Sequence, residues 1–351
     1  MAYSTIIKPS DYFNTKLYTG NGSTNAQTGL GFQPDWVWLK GRSNSGSHKL
    51  MDAVRGSSSS LCSNNSNAAE GADYFSSFDS NGFTVNGTSN DINANGQTYV
   101  GWNWKAGTTS GITTNGSSNI TPSGYSFNAT SKFSVIKWSG TGVDGAYLPH
   151  GLGVVPSVAI IKKTSASEEW VVYHIGLGSN QAYLRLNNTA AQVTGSGIWY
   201  SYTPDATNIR LSNDTWVNAS GSDYVGYFFS DTTGYQKHGS YNGNGNADGS
   251  FIYTGFKPAW VLIKDRTRSE AWYIYDGKIL GYNGQMGDFL ANTTASVGTN
   301  YAIQVDMLSN GFKLNTTASH LNGSGEAFVY SAFAESPFVA NSGESIPTTA
   351  R

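Results

Sequence analysis

The peptide GFQPDWVWLK, Gly31 to Lys40, sets four apolar side chains in unbroken succession, Trp36, Val37, Trp38 and Leu39. A β-strand turns successive side chains to opposite faces, so a strand with one wet face alternates apolar with polar residues. Here Trp36 and Trp38 share one face and Val37 and Leu39 the other. Both faces need a cover. One is the strand's own sandwich core, and the other is a long loop, a neighbouring unit of the chain or another subunit.

The peptide returns twice, as GLGVVPSVAIIK (Gly151–Lys162) and GFKPAWVLIK (Gly255–Lys264). Its prolines, Pro34, Pro156 and Pro258, and its closing lysines, Lys40, Lys162 and Lys264, keep the same spacing from copy to copy. Other segments follow in the same order. LYTGNGS, KWSGTG and SYNGNG each put an aromatic before a Gly-rich turn. HKLMD, WVVYH and WYIYD occupy one slot, and SNGFTVN, NIRLSN and SNGFKLN another. GQTYVGWNW, GSDYVGYFF and GEAFVYSAF close each unit.

These periods predict an all-β chain of three tandem β-sandwich repeats, jelly-roll or lectin-like, of about 100 residues each, longer than solenoid repeats. The units are placed at 1–107, 131–234 and 235–339. A Gly/Ser/Thr/Asn-rich linker is expected at 108–130 and a C-terminal tail at 340–351. No amphipathic helical period of useful length intervenes. The prolines are expected just before their strands, where a missing N–H costs the sheet least, and the lysines as exposed gatekeepers against edge pairing.

Charged residues make up only 13% of the chain, about half the usual share. Gly, Ser, Thr and Asn take their place, and the aromatic content opposes disorder. A formal charge of −2 without a basic stripe gives nucleic-acid binding no electrostatic footing. The single cysteine, Cys62, excludes an intrachain disulfide framework. The start, MAYSTIIKPSDYF, is not read as a signal peptide, and no run reaches the ~20 apolar residues of a membrane span.

No catalytic or metal motif is found. Of five histidines, His48 and His174 are read as occupying one repeat slot, with Asp276 as its third member, and polar strand ends account for them. The acids Glu168, Glu169, Glu326 and Glu335, with Asp265, show no spacing that pairs two carboxylates across a glycosidic bond. NGNGNADGS (Asn242–Ser250) alternates oxygen ligands as a calcium loop does, but lacks a closing bidentate acid, and turn chemistry explains it. The sequence therefore points to no catalytic residue, no metal ligand and no cofactor. IWYSY (Ile198–Tyr202) interrupts the repeat, and Trp199, Tyr200 and Tyr202 are candidates for a surface or receptor contact. Their alternative is burial in the local core.

Across nearly its whole length the chain resembles a family of structural proteins of marine tailed-bacteriophage virions, often assigned to tails or fibres. DYFNTKLYTGNGS, GLGFQPDWVWLK, TYVGWNWKAG, SNGFKLN and AFAESPF carry the resemblance. It implies a virion structural protein, made in the host cytoplasm without a signal peptide, and brings no catalytic residues. The first unit starts near Met1 and no heptads are seen, so a compact adaptor, knob or decoration is expected rather than a shaft.

The function expected is non-enzymatic: a tail-associated or tail-fibre component that meets host-surface polysaccharide. Capsid decoration or a head fibre is the alternative, and a glycan-cleaving enzyme a more distant one. The expected partners are other virion proteins and further copies of the chain in a homo-oligomer, without nucleic acid and without a membrane span.

Overall fold

The computed structural model describes residues 4–71, 74–195, 197–200, 204–279, 283, 287–298 and 304–337. Its strands fall into three lobes. The first holds β1 (Phe13–Thr19), β2 (Asn25–Thr28), β3 (Trp36–Gly41), β4 (Lys49–Asp52), β5 (Ser59–Ser60), β6 (Glu70–Gly71), β7 (Phe75–Asp79), β8 (Gly82–Val85) and β9 (Thr98–Trp104). The second holds β10 (Gly124–Asn128), β11 (Phe133–Ser139), β12 (Ala146–Pro149), β13 (Val158–Lys163), β14 (Val171–His174), β15 (Ala182–Arg185), β16 (Val193–Thr194), β17 (Asn208–Leu211) and β18 (Asp223–Phe229). The third holds β19 (Gln236–Asn242), β20 (Phe251–Tyr253), β21 (Phe256–Asp265), β22 (Trp272–Asp276), β23 (Asp288–Leu290), β24 (Val305–Leu308), β25 (Gly311–Leu314) and β26 (Ala327–Pro337).

Each lobe has an inner sheet whose central order repeats: β1-β9-β3-β4, then β11-β18-β13-β14, then β19-β26-β21-β22. These ladders are antiparallel. An outer sheet lies across each inner one, β2-β8-β7, β12-β17 or β20-β25-β24. In the first lobe Val37, Leu39 and Tyr99 meet Phe75, Phe83 and Val85 between the two sheets. The second and third lobes fill their sandwiches in the same manner. The chain is all-β with sandwich packing. Among the described residues the α-helical content is one turn, Ser319–Asn322, and no helix is long and apolar enough to cross a membrane.

The other face of each inner sheet settles what covers the opening strand. Trp36, Trp38, Trp102 and Trp104 of the first lobe join Phe133, Trp170, Tyr227 and Phe229 of the second and Trp260, Trp272 and Phe333 of the third in one core. Trp36 stacks on Tyr227 at 4.4 Å, Trp104 meets Phe333 at 5.5 Å, and Phe229 meets Phe333 at 5.6 Å between ring centroids. The lobes cover one another. A cavity of about 20 Å³ remains where they meet, room for about one water. Because the cover comes from the same chain, the double-faced strand is no argument for an oligomer.

Three sequence expectations need adjustment. The stretch 108–130 is not linker throughout, since Gly124–Asn128 forms β10 and Ile120 is buried in the second lobe's core. Its short apolar content was diluted by the polar residues around it. Pro258 lies inside β21, where the pairing to β26 shifts register and a missing N–H is tolerated. The lysines are not gatekeepers. Lys40, Lys162 and Lys264 are each 0% exposed, because the sheet face they end on is covered by the next lobe.

Candidate functional site

Several of the groups that catalysis commonly recruits lie along the seams between lobes. Lys40 Nζ donates to the Thr294 carbonyl of the third lobe at 2.9 Å, and Lys162 Nζ to the Ser66 carbonyl of the first at 3.2 Å. Lys264 Nζ donates to the Thr189 carbonyl of the second at 3.3 Å, which completes a ring. Burial is the chief cause that lowers each ammonium pKa to about 8. Facing slots on the neighbouring strand repeat the direction. His48 Nε2 donates to Leu290 O, Trp170 Nε1 to Cys62 O and Trp272 Nε1 to Arg185 O, at 2.8 to 3.1 Å.

The register therefore corrects the reading of the histidines. Trp36, Val158 and Trp260 pair with Asp52, His174 and Asp276, so those three share a slot, and His48 belongs with Trp170 and Trp272. The slot of Asp52, His174 and Asp276 bonds the opposite way round the ring. Tyr227 donates its hydroxyl to Asp52, His174 Nε2 donates to Tyr330 O, and Asp276 accepts from Thr15 Oγ1 and Trp102 Nε1, at 2.6 to 3.0 Å. Burial raises the Asp276 pKa against these bonds, and holds His174 at about 3 and His238 at about 4. His48 also accepts from Trp38 Nε1 at 2.8 Å, the pattern of a neutral ring protonated on Nε2. These are structural contacts.

The aromatic candidates separate. Trp199 is 3% exposed, bridged to Leu211 and set edge-on to Tyr173 at 5.9 Å, so it belongs to the second lobe's core. Tyr200 is half-buried under the Arg210 guanidinium, 3.9 Å above its ring. Tyr202 lies outside the described residues. In the 242–250 loop, Asn244 Oδ1 accepts from the Asn246 amide and Asn246 Oδ1 from the Asp248 amide, while Asp248 pairs with Lys313. Those are turn contacts. Among the described residues no group of three His, Cys, Asp or Glu side chains is placed to hold a metal. Glu326 immediately precedes β26 and Glu335 lies near its far end, roughly 30 Å apart at the rise of a strand, too far for a carboxylate pair.

Sequence reasoning missed a buried asparagine in each lobe, Asn93, Asn218 and Asn322. Their side chains accept from the amides of Asn21, Thr141 and Asn244, and so pin the three Gly-rich turns. The first glycine of each turn, Gly20, Gly140 or Gly243, faces a backbone carbonyl so closely that a Cβ would overlap it.

It also missed a cleft of about 120 Å³ on the first lobe. Met51, Phe75 and Ile92 form its apolar wall, and Ser60 and Ser89 add hydroxyl-bearing side chains. On its polar side Lys49, at the start of β4, stands 3.2 Å from Glu70 and 3.6 Å from Asp91. Burial opposes the Lys49 charge, but Cys62, Glu70 and Asp91 outweigh it and raise its pKa. Tyr74 lies at the lip, 43% exposed. Its ring rests on Gly87, where a Cβ would overlap it, and its carbonyl accepts from the Asn86 amide at 2.7 Å. The exposed ring is a supported platform.

A family model described as a domain of unknown function, DUF7483, matches residues 8–337, and the chain belongs to that family. No curated protein and no solved structure matches it.

Proposed function

We propose that this DUF7483 member is a non-enzymatic structural protein of a tailed-bacteriophage virion, tail-associated or part of a tail fibre, that meets host-surface polysaccharide. The observation that carries the reading is the closed ring of seams. Lys40, Lys162 and Lys264, with His48 and His174, are occupied in holding three lobes together rather than gathered in a cleft. The result is a body of three lobes on a shared core, with loop-rich, weakly charged outer surfaces suited to polar neighbours. The sequence resemblance to marine phage virion proteins supports the setting. Its neighbours there would be other virion proteins and further copies of the chain.

The test is mass spectrometry and reconstruction of virions from the phage that encodes the chain. The reading expects a few copies around the tail with the outer loops directed outward. Many copies on the head shell would make the protein a capsid decoration or head fibre instead. Absence of the chain from purified virions would overturn the proposal. Release of reducing ends from host polysaccharide by the pure protein would overturn its non-enzymatic part.

A further inference from the structure

Comparison of the lobes shows what the cleft beside Lys49 replaces. Lys49 pairs with Leu39 in the register where Val171 pairs with Ile161 and Tyr273 with Ile263. Asp91 precedes the buried Asn93 by two positions, as Trp216 precedes Asn218 and His320 precedes Asn322. The amides of those asparagines donate alike to Ser89, Asp214 and Ala318. The third lobe thus fills this place with its own rings, Tyr273 stacked on His320 at 4.5 Å. The second fills it with Trp216, set edge-on to Tyr183 at 5.9 Å and under Arg185. The first lobe sets a lysine and an aspartate there, and the room stays open.

We propose that the cleft binds a neutral sugar ring, which takes the place that the other lobes give to their own aromatic rings. Lys49 Nζ donates and Asp91 Oδ2 accepts, 3.6 Å apart. Two neighbouring ring hydroxyls, each both donor and acceptor, match that spacing, and the two side chains keep 17% and 27% of their surface exposed toward an incoming ring. The apolar C–H face of the ring lies on Tyr74, held flat by Gly87. One ammonium between two carboxylates leaves the polar side with a net negative charge, which disfavours uronates and sulfated sugars. At about 120 Å³ the cleft takes part of one hexose rather than a chain buried end to end. This is the side-on grip expected on a polysaccharide.

The inference rests on the glycan-binding part of the reading above and is independent of its virion part. Saturation-transfer NMR on the full chain with methyl α-mannoside, methyl α-glucoside and methyl β-galactoside tests it, with glucuronate as the anionic contrast. At least one neutral hexoside should show transfer, with millimolar affinity. Tyr74→Ala removes only the exposed platform and should weaken binding at least tenfold. The double variant K49V/D91W, built to fill the cleft as the second lobe does, should abolish transfer while the melting temperature holds. Transfer to none of the three hexosides overturns the inference, as does binding unchanged in both variants or tighter to glucuronate. Sugar binding by a chain absent from virions would remove the virion reading alone. Virion copies that bind no hexoside would remove the cleft alone.

Discussion

Raising the pH from 7 to 9 should stabilise this protein, against the usual trend for a buried core with tyrosines. Lys40, Lys162 and Lys264 have pKa values near 8 in the fold and 10.5 as the ordinary value. Below pH 8 both states hold the proton, and the folded state carries the full cost of three buried charges. Between pH 8 and 10.5 the folded lysines lose their protons first, so the unfolded chain binds more protons and stability climbs. The gain is about 1.4 kcal/mol per lysine by pH 9, or about 4 kcal/mol for three. Cys62 and the buried tyrosines, with pKa values raised by burial, act the other way and remove about 1 kcal/mol. The five histidines, held below their ordinary value by burial, return about 1 kcal/mol because the unfolded chain still protonates them partly at pH 7, so urea unfolding at constant ionic strength, at pH 7, 8 and 9, should show a net gain of about 4 kcal/mol. Lys264→Met should lose about 1.4 kcal/mol of that gain whatever its stability at pH 7. Stability that is flat or falls over this window would refute the lysine burial, as would a full gain retained by the variant.

Trp36→Ala and Trp260→Ala each remove a ring from the shared core and should cost about 3–5 kcal/mol in urea unfolding. Near-neutral values would mean that the lobes do not cover these faces. Asp276→Ala leaves Trp102 Nε1 and Thr15 Oγ1 without their acceptor in a buried seam and should cost about 3 kcal/mol. Asp276→Asn keeps one acceptor oxygen and should cost less, which thermal melts of the pair will show. Gly20→Ala forces a Cβ against the Ala94 carbonyl and should lower stability by about 1–3 kcal/mol, whereas Gly96→Ala meets no atom and tests only the cost of a positive φ.

How much of this was legible in the sequence follows from which contacts are local. The class and the two-faced strand could be read because Trp36 to Leu39 lie in one run, and alternation needs only neighbours. The cover could not be chosen, because Tyr227 and Phe333 meet Trp36 and Trp104 only after three separate sheets converge. Lys40, Lys162 and Lys264 misled for the same reason. A lysine ending an apolar strand is normally wet, and only the carbonyls of the next lobe make its burial tolerable. The pairing of His48 with His174 failed by a register slip of four residues, which the Trp36–Asp52 and Trp260–Asp276 pairs correct. The cleft did have a signal. Lys49 and Asp91 replace residues that elsewhere are apolar or aromatic, in two slots far apart in sequence, and only the lobe-to-lobe register makes them one site.

That one chain closes three lobes around one core is the claim on which the seams, the lysine titration and the proposed role all stand. Differential scanning calorimetry of the full chain tests it most directly. A shared core makes the lobes melt together, so one transition with equal calorimetric and van't Hoff enthalpies is expected. Two or three resolved transitions, unmoved by Asp276→Ala or Trp36→Ala outside the mutated lobe, would contradict it.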